Sequence, residues 1–338
     1  MGNDKHSILE ALISSNNNIW GNFHMHPLKT NMRLASAASA RARGGLVSQD
    51  EEQQLQYADM LIDVSMNRNS GQCYVIQDVD DNISILGLPF MKYYTEVDYN
   101  EAVEWLYPGR QLDFSATILC CNNKSVDMWN SVAQKMNPTQ EHILRSKDSF
   151  SEVDDPKGHL RKMLSATILN GFRKCGIPDH ELILKVDDIC LVTRAIHGLG
   201  LANNSRVSIV ALHRHCVEVL TVGDCAGRTI RIPRISFKFR LPYGKSYQLT
   251  RMQFPLRLAY AITYNKSQSQ TLVKVLLDIT SPPFSHGQLY VALSRVRDCR
   301  NINIYLTNEQ ISPSPYDSNV MIPTVNNIVY QDVLVLNN

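Results

Sequence analysis

The sequence has 338 residues, of which 44% are hydrophobic and 20% are charged, and its formal net charge is +2. A chain of this length and composition can bury a substantial core, so we expect a globular protein of roughly two or three domains rather than a disordered one. No window approaches 18 consecutive uncharged apolar residues, and residues 1–18 lack the apolar core of a secretion signal. We therefore expect an intracellular protein with no membrane partner.

The first predicted elements alternate helix and loop. Residues 6–20 carry apolar residues at helical spacing and predict a helix, and residues 22–34 predict a short strand that enters a loop. Residues 36–51 are small, polar and glycine-containing, which is typical of a flexible insertion. Residues 50–68 begin with acidic residues and predict an amphipathic helix. Its predicted core-facing residues are Leu55, Ala58, Met60, Leu61 and Ile62.

The rest of the chain predicts an α/β fold that is interrupted by an all-β region. Residues 115–123 predict a strand and residues 124–136 a helix, which together form one strand-to-helix unit. Several short strands with close turns follow from about residue 182 to 240, a pattern that favours a small inserted β-barrel. The α/β pattern then returns, with strands predicted at 257–264, 272–279 and 301–306 and a helix at 287–297.

A polar loop, "YNKSQSQT", follows the strand predicted at 257–264. Ligands of open α/β sheets bind at the carboxyl ends of the strands, so the loop is expected on the ligand-binding edge. Its amides, hydroxyls and Lys266 are groups that bind phosphate oxygens. A surface loop rich in Asn, Ser and Gln would show the same composition, and spacing alone leaves both interpretations open.

The cysteines predict thiols rather than a metal site. Eight cysteines are spread along the chain, mostly singly, which is typical of a reducing compartment. His213, His215, Cys216 and Cys225 are metal-ligand residue types, but their spacing matches no common zinc signature. The sequence around them alternates in the manner of a strand, so we predict no metal-binding residue.

The small net charge conceals a strong asymmetry. Residues 50–104 contain twelve Asp or Glu against Arg68 and Lys92, whereas residues 225–277 contain ten Lys or Arg and no acidic residue. Aromatic residues interleave with the basic ones, a pattern that suits a polyanion whose bases stack on rings. The alternative is a solvated surface. The absence of acidic residues over more than fifty positions favours nucleic acid.

Several blocks of sequence, in order, resemble the Pif-type (petite integration frequency) helicases of superfamily one, in the version that Helitron transposons carry. These blocks are residues 28–34, 117–130, 146–149, 176–186, 200–207, 232–235, 251–272 and 284–297. The last two, "RMQFPLRLAYAITYNKSQSQTL" and "FSHGQLYVALSRVR", are the longest and the most specific. The resemblance covers nearly the whole chain with compatible spacing.

The resemblance implies part of an ATP-driven, Mg-dependent motor that moves five-prime to three-prime on single-stranded DNA. The implied fold class is α/β, a RecA-like parallel-sheet domain interrupted by a small Src-homology-three-like β-barrel. The implied domains are a remnant of the first RecA-like domain, two segments of the second one with the barrel between them, and a C-terminal tail. The remnant is residues 1–27, the two segments are residues 28–180 and 249–310, the barrel is residues 181–248, and the tail is residues 311–338. The implied processes are DNA repair, recombination or transposon replication in the nucleus.

The resemblance also implies roles for individual residues. Arg33 and Arg295 would reach the γ-phosphate of ATP from the second domain, with Arg295 as the arginine-finger type of group. Gln268 would join them at the nucleotide. The residues expected to contact nucleic acid are Thr263, Asn265, Lys266 and Ser267 in the polar loop and Arg206 and Arg234 in two other blocks.

The chain departs from the family pattern at two places. Ser269 occupies a position that is usually Gly, and a side chain there would strain a left-handed backbone or obstruct a phosphate. Asp187 and Asp188 stand where the family tends to have Gly-Ala, and two carboxylates at the barrel entrance would repel DNA phosphates if they face them.

The sequence contains no phosphate-binding loop of the G-x-x-x-x-G-K-[ST] type. Gly244-Lys245-Ser246 matches its end, but Phe239 stands at the position of the first glycine. That loop and the acidic pair for Mg would lie upstream, in a first RecA-like domain, so the chain alone is not expected to hydrolyse ATP. Two alternatives remain open, namely an ATPase-inactive module that binds single-stranded nucleic acid and a decayed Helitron remnant.

Overall fold

The computed structural model describes residues 48–69, 72–80, 82–150, 170–172, 176–222, 227–240, 248–268 and 270–330. Some of the predicted features lie outside these residues. They are the helix at 6–20, the strand at 22–34 with Arg33, Cys225, Gly244 to Ser246, and Ser269.

Within the described residues the chain forms four α-helices and nineteen strands. The helices are α1 (Gln49–Met66), α2 (Tyr99–Leu106), α3 (Asn123–Met136) and α4 (Gln288–Leu293). The first ten strands are β1 (Tyr74–Asp80), β2 (Ile83–Gly87), β3 (Tyr93–Tyr94), β4 (Ala116–Cys120), β5 (His142–Arg145), β6 (Lys147–Phe150), β7 (Glu181–Leu184), β8 (Ile189–Val192), β9 (Arg206–Leu212) and β10 (Cys216–Thr221). The remaining strands are β11 (Thr229–Pro233), β12 (Ile235–Arg240), β13 (Gln248–Gln253), β14 (Leu256–Leu258), β15 (Ala261–Thr263), β16 (Lys274–Asp278), β17 (Ile302–Tyr305), β18 (Ile311–Pro313) and β19 (Met321–Ile328).

The chain divides into two compact units. Unit 1 comprises Met1–Asp98, Gln268–Val273 and Ile279–Asn338, and unit 2 comprises Tyr99–Ser267 and Lys274–Asp278. None of the described helices is long and apolar enough to span a membrane.

Helix α1 of unit 1 confirms the amphipathic helix predicted at 50–68. Ser48 and Glu51 form a capping box at its start, which satisfies backbone N–H groups that have no partner inside the helix. The buried residues are Tyr57, Met60, Leu61 and Val64. The prediction that Ile62 faces the core is wrong, because its side chain is 50% exposed.

Unit 1 also contains an antiparallel sheet in the order β1-β2-β19-β18 and a parallel pair of β3 with β17. Residues 311–338 were expected to form a tail, but β18 and β19 of that segment belong to this sheet. The amide of Asn327 on β19 donates to the carbonyl of Val64 and to the side chain of Asn67, both at 2.6 Å. Those bonds tie the end of α1 to the sheet.

Unit 2 contains three parallel strands in the order β15-β4-β16. Strand β4 and the following α3 confirm the predicted strand-to-helix unit. The strand predicted at 257–264 is two strands instead of one. β14 pairs antiparallel with β8, whereas β15 pairs parallel with β4, so the chain changes sheets between Leu258 and Ala261.

The short strands predicted between 182 and 240 are present and antiparallel. They form a five-stranded sheet in the order β11-β10-β9-β8-β14, a three-stranded sheet β12-β13-β6 and the pair β5-β7. Strands β5, β6, β13 and β14 lie partly or wholly outside the predicted limits 181–248, so the antiparallel sheets extend on both sides of that segment. Val207, Ile209, Val217, Val219 and Ile232 belong to the core of the five-stranded sheet.

Candidate nucleotide and nucleic-acid site

The polar loop lies where the sequence predicts it, at the carboxyl edge of parallel strands. Thr263 at the end of β15 is in register with Cys120 at the end of β4, and Asp278 at the end of β16 is in register with the same residue. Tyr264–Ser267 then form a turn of 3-10 helix directly after β15. This edge is the one at which open α/β sheets bind ligands.

Buried hydrogen bonds hold the turn in one shape. The hydroxyl of Tyr264 donates to the backbone carbonyl of Asp278 at 2.6 Å, and the hydroxyl of Ser267 donates to the carbonyl of Tyr264 at 2.7 Å. The indole N–H of Trp129 donates to the carboxylate of Asp278 at 2.7 Å. Burial, with the nearby Asp278 carboxylate, raises the pKa of Tyr264 well above its ordinary value, so the phenol stays a proton donor.

The predicted loop residues divide by exposure. Asn265 is exposed, Thr263 and Lys266 are half-buried, and Ser267 is fully buried. Ser267 therefore shapes the turn, while the other three present an amide, a hydroxyl and an ammonium group at the strand edge. Gln268, the first residue of the next segment of unit 1, is exposed.

Arg295 lies just after α4 and is only 7% exposed. Its guanidinium donates to the carbonyl of Val291 at 2.6 Å, to the hydroxyl of Ser294 at 2.8 Å and to the carbonyl of Gln270 at 3.4 Å. The backbone N–H of Leu272 donates to the carbonyl of Arg295 at 2.9 Å. These bonds join the end of α4 to the segment that follows the polar loop.

Arg206, a predicted nucleic-acid ligand, directs its guanidinium into unit 2. It donates to the hydroxyl of Thr117 at 2.8 Å and to the carbonyls of Ala116 and Ala259 at 3.4 Å. Burial lowers the pKa of Arg206. This geometry supports a role in joining β9 to the parallel strands.

Arg234, the other predicted ligand outside the loop, is half-buried. Its guanidinium donates to the carbonyl of Arg214 at 2.7 Å and lies 4.2 Å from the ring centroid of Phe254. A cation over an aromatic face is held in place by the ring quadrupole, which orients this side chain.

The two aspartates that depart from the family pattern have different surroundings. Asp187 is exposed and adopts a left-handed conformation with φ of 67°, a region that Gly and Asp tolerate best. Asp188 is fully buried and accepts hydrogen bonds from Gln134, Asn137 and Tyr260, so the concern that it repels phosphates at the surface does not hold.

Two exposed cations of β12 belong to the basic segment, but the sequence assigned them no individual role at the site. Lys238 and Arg240 are exposed, and they alternate with the buried Phe237 and Phe239. The signal that would have found them is the strict alternation in "SFKFR", which places charged and aromatic residues on opposite faces of a strand. In the described part of the chain, no group of three His, Cys, Asp or Glu could hold a metal ion.

No family model and no curated protein matches the sequence. Comparison with solved structures finds Pif1 helicases. A Bacteroides Pif1 bound to single-stranded DNA is 20% identical with a TM-score of 0.47, over 74% of this chain and 48% of the other. Pif1 helicase from Candida albicans is also 20% identical, with a TM-score of 0.48 over 74% and 53%. A Bacteroides Pif1 helicase in complex with ADP-AlF3 and single-stranded DNA is 20% identical, with a TM-score of 0.42 over 81% and 49%. Each of these three solved structures is a Pif1 helicase, and the chain spans about half of its length.

Proposed function

We propose that this chain is the carboxyl-terminal part of an ATP-dependent DNA helicase of the Pif type, which unwinds DNA five-prime to three-prime. The observation that carries the proposal is the position of the polar loop. The loop lies within the longest block of family resemblance, residues 251–272, and its described residues begin at the carboxyl end of a parallel strand, where such a motor contacts its ligands. On the resemblance to Helitron proteins, we propose that it acts in the nucleus.

In this proposal residues 28–180 and 249–310 form the second RecA-like domain, and residues 181–248 contribute a Src-homology-three-like barrel. Residues 1–27 are the end of a first RecA-like domain. That domain would supply the phosphate-binding loop and the acidic residues for Mg, because the present sequence contains no G-x-x-x-x-G-K-[ST] motif.

The role of this chain in phosphoryl transfer would be electrostatic. Negative charge spreads over the equatorial oxygens of the transferred phosphoryl group, and a guanidinium stabilises that charge. We assign this task to Arg295 and Arg33 and the recognition of the nucleotide to Gln268. Arg295 would exchange the weak 3.4 Å bond to the carbonyl of Gln270 for a phosphate oxygen.

The polar loop would couple the nucleotide to DNA. Thr263, Asn265 and Lys266 would contact the backbone of a single strand, since a hydroxyl, an amide and an ammonium group are common phosphate ligands. The buried bonds from Tyr264 and Ser267 give the turn a fixed shape. A displacement of the loop would therefore move its residues together.

Arg295 and Arg297 offer a matched test in a version of the protein extended upstream through the phosphate-binding loop. Arg295→Ala should reduce kcat for ATP hydrolysis about 10³-fold or more, the usual contribution of an arginine finger. Arg297 is exposed and two residues away, so Arg297→Ala should leave kcat within about two-fold. Retained binding of single-stranded DNA would show that both variants are folded. An Arg295→Ala variant with unchanged kcat would refute the assignment.

A second candidate function, a non-enzymatic module that binds single-stranded nucleic acid, is favoured by the exposed cations of β12. The two functions differ in their response to nucleotide. A motor should change its affinity for DNA when ADP-AlF4 is added to the extended protein, whereas a passive module should not.

A further inference from the structure

The three-stranded sheet β12-β13-β6 presents one face that is polar and basic. Its register pairs Ser236 with Met252, Lys238 with Thr250, and Arg240 with Gln248. Because successive side chains of a strand point to opposite faces, these residues share one face.

Strand β6 continues the same face across the sheet. Lys147 pairs with Met252, and Ser149 pairs with Thr250. Two rows therefore cross all three strands, one containing Ser236, Met252 and Lys147 and the other Lys238, Thr250 and Ser149.

The opposite face is buried and explains why the sheet is held in this register. Arg251 is 1% exposed, and its guanidinium contacts the carboxylate of Asp148 with a shortest distance of 2.8 Å. Phe237 and Phe239 are buried on that same face. The buried pair and the two rings fix which side chains remain outside.

The described charged residues on the outward face are all basic. The outward positions that the structure describes are Ser236, Lys238, Arg240, Gln248, Thr250, Met252, Lys147 and Ser149, and none of them is acidic. No ion pair among the described residues involves Lys147, Lys238 or Arg240, whereas the exposed Arg145 and Arg231 are paired with Glu181 and Glu218. The cations of this face are thus not neutralised by carboxylates that the structure describes.

We propose that this face binds the backbone of single-stranded nucleic acid, with Lys238, Arg240 and Lys147 on phosphates and the hydroxyls of Thr250 and Ser149 between them. The inference rests on the proposed function and extends its DNA track to a surface other than the polar loop. Three strands span about 10 Å from the first to the third, a distance that a single nucleic-acid backbone can cross. Met252, 42% exposed between the cations, offers apolar contact to an unpaired base.

The test is fluorescence anisotropy of labelled oligo(dT) with the full 338-residue chain at several salt concentrations. The double variant K238Q/R240Q should bind about ten-fold more weakly, and its slope of log affinity against log salt should be smaller by about 1.4, two phosphate contacts at about 0.7 each. K147Q should reduce the slope by about 0.7. The double variant R145Q/R231Q removes the same charge from exposed positions of unit 2 and should leave the slope unchanged.

The outcomes separate this inference from the proposed function. Suppose that the wild-type chain binds and that N265A/K266A weakens binding, whereas K238Q/R240Q does not. The face is then not part of the DNA track, but the proposed function survives. Equal affinity for a duplex of the same length overturns the assignment to single strands. A wild-type chain that binds no oligonucleotide overturns the inference and also removes the proposed nucleic-acid partner.

Discussion

At the scale of single residues, the buried carboxylate of Asp188 organises a polar network in unit 2. It accepts hydrogen bonds from the side chains of Gln134, Asn137 and Tyr260 at 2.6–2.9 Å and from the backbone N–H of Lys185 at 2.8 Å. The network joins the end of α3 to the start of β8 and to Tyr260, the residue before β15.

We expect Asp188→Ala to lower the free energy of unfolding by about 3 kcal/mol, because it leaves buried donors without an acceptor. Tyr260→Phe removes a single donor and should cost only about 1 kcal/mol. Urea unfolding followed by circular dichroism measures both. Equal effects of the two variants would contradict a network centred on the carboxylate.

The buried thiol of Cys73 should make the free energy of unfolding fall at alkaline pH. Burial, with a smaller effect of the Asp63 carboxylate, raises the pKa of its thiol from 9.0 to about 12. The contribution is fully present below pH 9 and is lost between about pH 9 and 12, because the unfolded chain releases the thiol proton first. Cys73→Ala should reduce the slope of unfolding free energy against pH in that window by up to about 1.4 kcal/mol per pH unit. A variant curve parallel to the wild-type curve would show that the thiol has no such shift.

At the scale of elements, α3 begins with a cap that the sequence specifies locally. The side chain of Asn122 accepts a hydrogen bond from the backbone N–H of Ser125 at 2.9 Å. Asn122→Ala should lower the free energy of unfolding by about 1 kcal/mol, because that N–H loses its partner. Lys124→Ala, at an exposed position of the same turn, should change it by less than about 0.5 kcal/mol. Chemical denaturation compares the two, and an equal loss in both would exclude a specific capping role.

Elements with strong local patterns could be predicted from the sequence. Helix α1 has its acidic first turn, and β4 is a short run of apolar strand formers that is followed by a capped helix. The break of the strand predicted at 257–264 could not be predicted, because it depends on which distant strand each half pairs with. Local pattern contains no information on pairing partners.

At the candidate site too, features set by the local sequence could be predicted, and features set by distant packing could not. The polar loop could be placed at a strand edge because it directly follows a strand, and the structure confirms that placement. The inward direction of Arg206 could not be foreseen, since an arginine on a strand faces solvent or core according to the packing of other elements. Ser267 is buried for a different, local reason, because its hydroxyl donates to the carbonyl of Tyr264 within the turn.

At the scale of the whole molecule, charge is divided along the chain. Residues 225–277 carry ten basic residues and no acidic one, and all ten basic residues belong to the segments of unit 2. Such a distribution attracts a polyanion through phosphate contacts that displace counterions, so affinity for DNA should fall steeply with salt. The net charge of +2 alone would not predict this behaviour.

We propose above all that the second RecA-like domain in this chain supplies one side of a nucleotide site, which needs the first RecA-like domain to be complete. The most direct measurement is ATP hydrolysis stimulated by single-stranded DNA, on the 338-residue chain and on the version extended upstream through the phosphate-binding loop. We predict no stimulated turnover by the chain alone and stimulated turnover by the extended protein, which Arg295→Ala abolishes. Turnover of ATP by the 338-residue chain alone, or an extended protein that ignores DNA, would contradict the account.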